Sequence, residues 1–218
     1  MKNLWIIGAG VCLMLAAACS QTQQGQAAGQ ENCKTQQTEE ANAVIETIMA
    51  RRSIRKYKQV PVDRDTLDVI LECGVNAPNG QNRQSWEVRV VDSPELMAEI
   101  QEAIAKGHPD IPPQFAKGCF RDAPVMVFIA RDPSYDFSAY DCGLLAENIM
   151  LSAWSMGVGS ICLGSPVRFL KDNDVCKPYL EKLEFSEGYE LCLCVGLGYA
   201  DEAPDAKPRN MEKIKYIE

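Results

Sequence analysis

The chain has 218 residues, 46% hydrophobic and 24% charged, which suits one globular domain with a proper core and excludes wholesale disorder. Its formal charge of −8 excludes nucleic acid as a partner unless a local basic patch overrides it. The single histidine, His108, excludes multi-histidine metal sites, and it confines Ser-His-Asp or Cys-His catalysis to its own surroundings; no metal is expected.

Residues 1–18 read as a signal peptide. Lys2 supplies a positive start, Leu4 to Leu15 form an apolar stretch too short to span a membrane, and Ala16, Ala17 and Ala18 are small residues that suit cleavage. Cys19, directly after them, resembles the lipobox cysteine of bacterial lipoproteins, which becomes the lipidated first residue; a plain secretory signal with an incidental cysteine is the alternative. The run from Ile6 to Gly10 imitates a dinucleotide-binding loop, but Leu13 stands at the third glycine position and nothing upstream can form a strand. Residues 19–41 are the lipidated cysteine and a spacer rich in Gln, Ala, Gly and Thr, too poor in large apolar side chains to offset ordering entropy. Such a tether would hold residues 42–218, the folded domain, off a membrane in the bacterial cell envelope, facing outside the cytoplasm.

Within the domain, Val44, Ile45, Ile48 and Met49 repeat at helical spacing and predict a helix from Asn42 to about Arg52 with one apolar stripe. A second helix is predicted from Asp63, as N-cap, to about Gly74, burying Leu67, Ile70 and Leu71. Ala77 to Ser85 is loop by composition, and Trp86 to Val91 alternates as a strand. Pro94 opens a third helix carrying Leu96, Met97, Ile100 and Ile104, and Lys106 to Arg121 reads as irregular. Ala123 to Ala130 is a strand covered on both faces, and Tyr140 to Met156, apolar on most of its circumference, is a helix surrounded by protein. Val158 to Leu163 and Tyr189 to Leu197 are two more buried strands, so the fold class is α+β or a three-layer α/β domain.

The cysteines show no Cys-x-x-Cys pair and no disulfide framework. Cys142, Cys162, Cys192 and Cys194 lie in apolar runs, where a free cysteine acts as a small buried hydrophobe. Cys192 and Cys194 are expected on one face of a strand, as core packing. A bond from Cys33 to a domain cysteine stays open.

Four segments offer chemistry. Arg51 and Arg55 stand four apart with Ser53 between them, donors fit for a phosphate, although a basic helix end is also an ordinary solvated surface. Lys207-Pro208-Arg209 is a second basic cluster, which folding could bring to the first. Asn79, Gln81, Asn82 and Gln84 carry amides suited to the carbonyls and ring nitrogens of a heterocycle, or make a plain polar turn. Gly157 to Gly159 and Gly164-Ser165-Pro166 permit close backbone approach to a flat ligand. Gly196-Leu197-Gly198 lacks the following helix that a dinucleotide loop needs.

Together, RRSIRKY, APNGQNRQSW, DCGLLAENIMLSAWSMGVGS and VGLGYADEAPDAKPR, in that order from about Asn42 to Arg209, resemble the nitroreductase-like flavoprotein family. The resemblance implies a homodimer of three-layer α/β/α subunits, each with a mostly antiparallel central sheet flanked by helices, binding FMN in two clefts at the dimer interface. It implies that Arg51, Arg52, Ser53 and Arg55 hold the FMN phosphate from one side and Lys207 and Arg209 from the other. Asn82, with Gln84 nearby, would meet the isoalloxazine edge, and Cys162, Leu163, Gly164 and Ser165 would lie against the ring. The Pro-x-Glu-Gly-like sequence of some relatives is missing there.

The implied chemistry needs no catalytic side chain, because FMN would take hydride from NAD(P)H and pass two electrons to a nitroaromatic, quinone or similar electron-poor acceptor in ping-pong order. The leader conflicts with this, since free NAD(P)H is scarce outside the cytoplasm. The rivals are a non-catalytic flavin-binding or redox-relay lipoprotein and a flavin-free substrate-binding lipoprotein.

Overall fold

The computed structural model describes residues 42–171 and 173–218. The signal peptide, Cys19, the spacer, the glycines before Val11 and Cys33 lie outside the described residues. The chain divides into two units, Met1–Ile45 and Glu46–Glu218. Among the described residues, no helix is long and apolar enough to cross a membrane.

Helix α1 spans 42–50, stopping short of the predicted Arg52. Its stripe is exposed: Val44, Ile45, Ile48 and Met49 all stand more than half open to solvent. Periodicity identified the stripe correctly, and among the described residues it is exposed. The domain then follows as α2 (Arg64–Val75), β1 (Trp86–Val91), α3 (Pro94–Gly107), α4 (Pro113–Lys117), β2 (Val125–Arg131), α5 (Ser138–Ser155), β3 (Gly159–Leu163), α6 (Ser165–Lys171), α7 (Lys177–Glu181) and β4 (Glu190–Gly198).

The strands form one antiparallel sheet in the order β1-β2-β4-β3. β2 is central and wholly buried apart from its last residue, as its unbroken apolar run requires. Val125, Val127 and Ile129 point to one layer with Val195, Leu197 and the buried faces of α2 and α5. Met126 and Phe128 point to the other, with Cys194, Ile161 and the α3 residues Met97, Ile100 and Ile104. Phe128 meets Phe120 edge-on at 5.9 Å. The architecture is therefore the expected three-layer α/β/α arrangement.

Several local expectations need correction. Asp63 sits at the α2 N-cap without a side-chain capping bond, whereas Ser93 does cap α3, accepting from the Leu96 amide at 3.2 Å beside Pro94. Gly74 lies inside α2, which continues to Val75, and Leu71 is only half-buried. The stretch from Lys106 to Arg121 is less irregular than its prolines suggested: it holds α4 and a 3₁₀ turn that bury Ala116, Cys119 and Phe120. Among the described residues, the helix α5 is not surrounded on every side, since Tyr140 and Leu144 are exposed on one flank. Cys162 is exposed rather than buried.

The largest departure is at Cys192. The β2–β4 register pairs Ile129 with Leu193 and Ala130 with Leu191, leaving Cys192 as the extra residue of a β-bulge. The bulge breaks the two-residue alternation, so Cys194 packs in the α3 layer and Cys192 in the α5 layer. The two cysteines do not share a face.

Gly198, at the end of β4, is a close-packed position. A Cβ there would lie 2.5 Å from Cδ of Pro124 and 2.9 Å from Cδ1 of Tyr57, both parts of rings that cannot swing aside. Gly198→Ala is expected to cost about 1–3 kcal/mol, read as a lower urea midpoint with unchanged slope.

Candidate functional site

The segment 51–57 leaves α1 and is stitched to the sheet edge. Ser53 bridges Ser160 of β3, the Ile54 amide donates to the Ser160 carbonyl at 2.9 Å, and Tyr57 bridges Ala200. Ile54 and Tyr57 are buried, and the Tyr57 hydroxyl donates to the Ile54 carbonyl at 2.8 Å, with burial pushing its pKa upward. These anchors leave the intervening basic side chains facing outward.

The chain after β4 returns beside this segment. The Arg55 amide donates to the Glu202 carboxylate, and the Asp201 amide donates to the Lys56 carbonyl at 2.9 Å. One small cavity of about 100 Å³ results, lined by Arg51, Arg52, Ser53, Arg55, Pro204, Asp205, Lys207 and Arg209. The two basic clusters, remote in sequence, therefore form one cradle. Among the described residues, Arg52 donates to the carbonyls of Met49 and Arg51, Arg55 to that of Ser53, and Arg209 to that of Lys207. Arg51 Nε is buried and makes no hydrogen bond; its nearest carboxylate is Glu147 of α5 at 3.6 Å. Five cations against one lining carboxylate, in a chain of net charge −8, suit a compact anion that accepts several hydrogen bonds. A phosphate group fits both the charge and the room.

The amide loop lies between α2 and β1. Gln81, Asn82 and Gln84 all have positive φ, of 56°, 52° and 49°, an uncommon conformation in three non-glycine residues so close together. Asp141 of α5 holds the loop. Buried and only 3% exposed, it accepts from the Gly80 amide at 2.9 Å and from the Ser85 hydroxyl at 2.8 Å. The Asn79 side chain accepts from the Gln84 amide at 2.9 Å, so Asn79 shapes the loop from within. Arg83 lies over the Tyr135 ring at 4.4 Å. Asn82 and Gln84 are left exposed.

The third group runs from the end of β3 into α6. Cys162, Gly164 and Ser165 are exposed, and Leu163 is buried in the α3 layer. Desolvation by the surrounding protein raises the Cys162 thiol, the Glu147 carboxylate adds to this, and Arg51 opposes it, which sets Cys162 in the field of the cradle's edge. The earlier glycines have structural duties: Gly157, at φ 76°, terminates α5, and a Cβ on Gly159 would meet Ile54 at 2.8 Å. His108 lies elsewhere, its Nε2 bonded to the Phe169 carbonyl at 2.8 Å.

Helix α5 links two of these regions. Asp141 holds the amide loop, and Glu147, six residues on and about 9 Å along the axis, approaches Arg51. Sequence reading missed Asp141, Glu147 and Glu202. Asp141 did leave a signal, an acidic residue at the start of an apolar helix; the other two are ordinary acidic residues until the fold brings them to Arg51 and Arg55.

Residues 48–199, more than two thirds of the chain, match the nitroreductase family. A nitroreductase with bound FMN from Desulfitobacterium hafniense superposes with a TM-score of 0.73 at 30% identity, covering 81% of this chain and 98% of that one. A second, with bound FMN, from Bacteroides fragilis gives 0.72 at 29%, covering 80% and 98%. The NADPH-flavin oxidoreductase of Vibrio harveyi is 31% identical over 175 residues, 77% of this chain and 70% of that protein. A relative in Methanothermobacter thermautotrophicus is 32% identical over 125 residues, a match spanning 60% of its length. With the motif order, the three-layer fold and these likenesses in agreement, the chain belongs to the nitroreductase family.

Proposed function

We propose that the protein is an FMN-containing oxidoreductase that uses NAD(P)H to reduce an electron-poor acceptor, nitroaromatic or quinone, in ping-pong order. The observation that carries this reading is the cationic cradle formed by the two ends of the domain. FMN-bound relatives and the NADPH-flavin oxidoreductase support the choice of cofactor and donor.

When bound, FMN supplies the redox chemistry, accepting hydride from the nicotinamide and passing two electrons to the acceptor. The protein's part is binding and orientation. Arg51, Arg52, Ser53, Arg55, Lys207 and Arg209 hold the phosphate. Asn82 and Gln84 offer amides to the heterocycle edge, and Asp141 fixes the loop that carries them. Cys162, Leu163, Gly164 and Ser165 form the ring's support, with Gly164 free of neighbours within 4 Å of where a Cβ would lie. No side chain serves as nucleophile, and the only histidine is engaged with a backbone carbonyl.

The functional unit is a homodimer. The apolar residues of α1 (Ile48 and Met49) and of the α5 flank (Tyr140 and Leu144) support this, since they are exposed among the described residues of one chain. The leader supports a lipid anchor at Cys19 in the cell envelope. That placement favours one second reading, a flavin-bearing redox relay served by a donor other than NAD(P)H.

Visible absorption of the purified protein tests the proposal. Oxidised-flavin bands that bleach anaerobically with NADH or NADPH are expected. Bands that neither nicotinamide bleaches favour the relay, and a colourless protein that takes up no added FMN overturns both flavin readings.

A further inference from the structure

Two thiols with no part in the flavin site meet between α5 and β4. Cys142 is wholly buried in the α5 layer, and its Sγ reaches the Ala130 carbonyl at 3.6 Å. Cys192 is the bulge residue, half-buried, and it packs in the same layer as Cys142, next to the Ala130–Leu191 pair. Both are free thiols. The bulge has a direct consequence: in regular alternation Cys192 would face the opposite layer, and only the extra residue turns it toward Cys142.

Their surroundings make the two unequal. The neighbouring Cys142 side chain holds the Cys192 thiol below its usual range; burial opposes this, the charges of Arg131 and Lys171 assist it, and Glu190 opposes it. The Cys192 side chain in turn raises the Cys142 thiol, as do burial and the nearby Asp141 charge, against Arg131. A partly exposed thiolate near cations, backed by a buried thiol, is the arrangement of an attacking cysteine and a resolving one.

We propose that Cys142 and Cys192 form a reversible internal disulfide by exchange with low-molecular-weight disulfides, Cys192 attacking and Cys142 resolving. The Cys192 thiolate bonds to one sulfur of RSSR, the RS–SR bond breaks, and RS⁻ leaves. Cys142 then loses its proton and attacks the Cys192 sulfur; the protein S–S bond forms and a second RS⁻ leaves. The two protein thiols lose two electrons, RSSR gains them, and the two protons leave with the released thiols. This does not depend on the flavin reading.

Reduced full-length protein is treated with oxidised glutathione, alkylated, digested and examined by mass spectrometry. A Cys142–Cys192 peptide pair is expected in the wild type, and in both Cys142→Ser and Cys142→Ala a glutathione adduct that persists on Cys192. Iodoacetamide alkylation of Cys192 in the reduced wild type should reach its half-maximal rate at a lower pH than that of an unperturbed thiol. A wild-type protein that keeps both thiols, or joins Cys192 to any cysteine other than Cys142, overturns the proposal. The wild-type measurement stands even where a variant fails to fold.

Discussion

The double variant Arg51→Ala, Arg209→Ala is expected to hold FMN on the order of 10²–10³-fold more weakly than the wild type, because each loses charge-assisted bonds to a phosphate. The two residues come from opposite ends of the domain and line one cavity, so each single variant should show part of the loss. Arg51 is the stronger member, since its buried Nε has no hydrogen-bond acceptor and the nearest carboxylate is 3.6 Å away. Arg55→Ala is expected to weaken retention as well. Added salt should narrow the difference from wild type, because Arg209 is exposed and screened. Lys117→Ala is the control: its ammonium pairs with Glu102 at 2.6 Å and does not line the cavity. Equilibrium dialysis or flavin fluorescence reads the result. Equal losses in the control and the double variant would show a general charge effect rather than a cradle.

Asp141→Ala is expected to lower stability by about 2–4 kcal/mol, since it strands a half-buried donor, the Gly80 amide, and a buried one, the Ser85 hydroxyl. In a chain of this size that is a fall of roughly 5–15 °C in the melting temperature. The effect should extend to the loop's conformation. Gln81, Asn82 and Gln84 keep positive φ only while the surrounding structure holds them there, so the loop should become an early site of proteolysis and of amide exchange. Asp141→Asn keeps one acceptor oxygen and should cost less, about 1–2 kcal/mol. An Asp141→Ala protein with wild-type melting and a protected loop would show that the carboxylate does not hold the segment.

Most elements were legible in the sequence because each carries its own local signal. Trp86–Val91 alternates, Ala123 to Ala130 lies in an apolar run, and Pro94 marks the start of α3 as its first-turn proline. α4 was hidden because glycines and prolines around it outweigh five helical residues. The bulge at Cys192 was hidden for a different reason: it depends on which β2 residue each β4 residue meets, and local composition carries no record of that. The exposed stripes on α1 and α5 show the same limit. Periodicity reports that a face is apolar, but not which molecule covers it.

The sequence by itself determined the four strands and the longer helices in chain order, a class left between α+β and three-layer α/β, and the residue types that suit a phosphate and a heterocycle. These follow from backbone propensity, side-chain period and chemistry, all of which act locally. Only the tertiary structure decided that Arg51 and Arg209 share a cavity, that Asp141 holds a loop some sixty residues earlier in the chain, and that Cys192 shares a layer with Cys142 rather than with Cys194. Each of these is a long-range pairing, set by sheet register and by burial in a shared core, and no short stretch of chain encodes it.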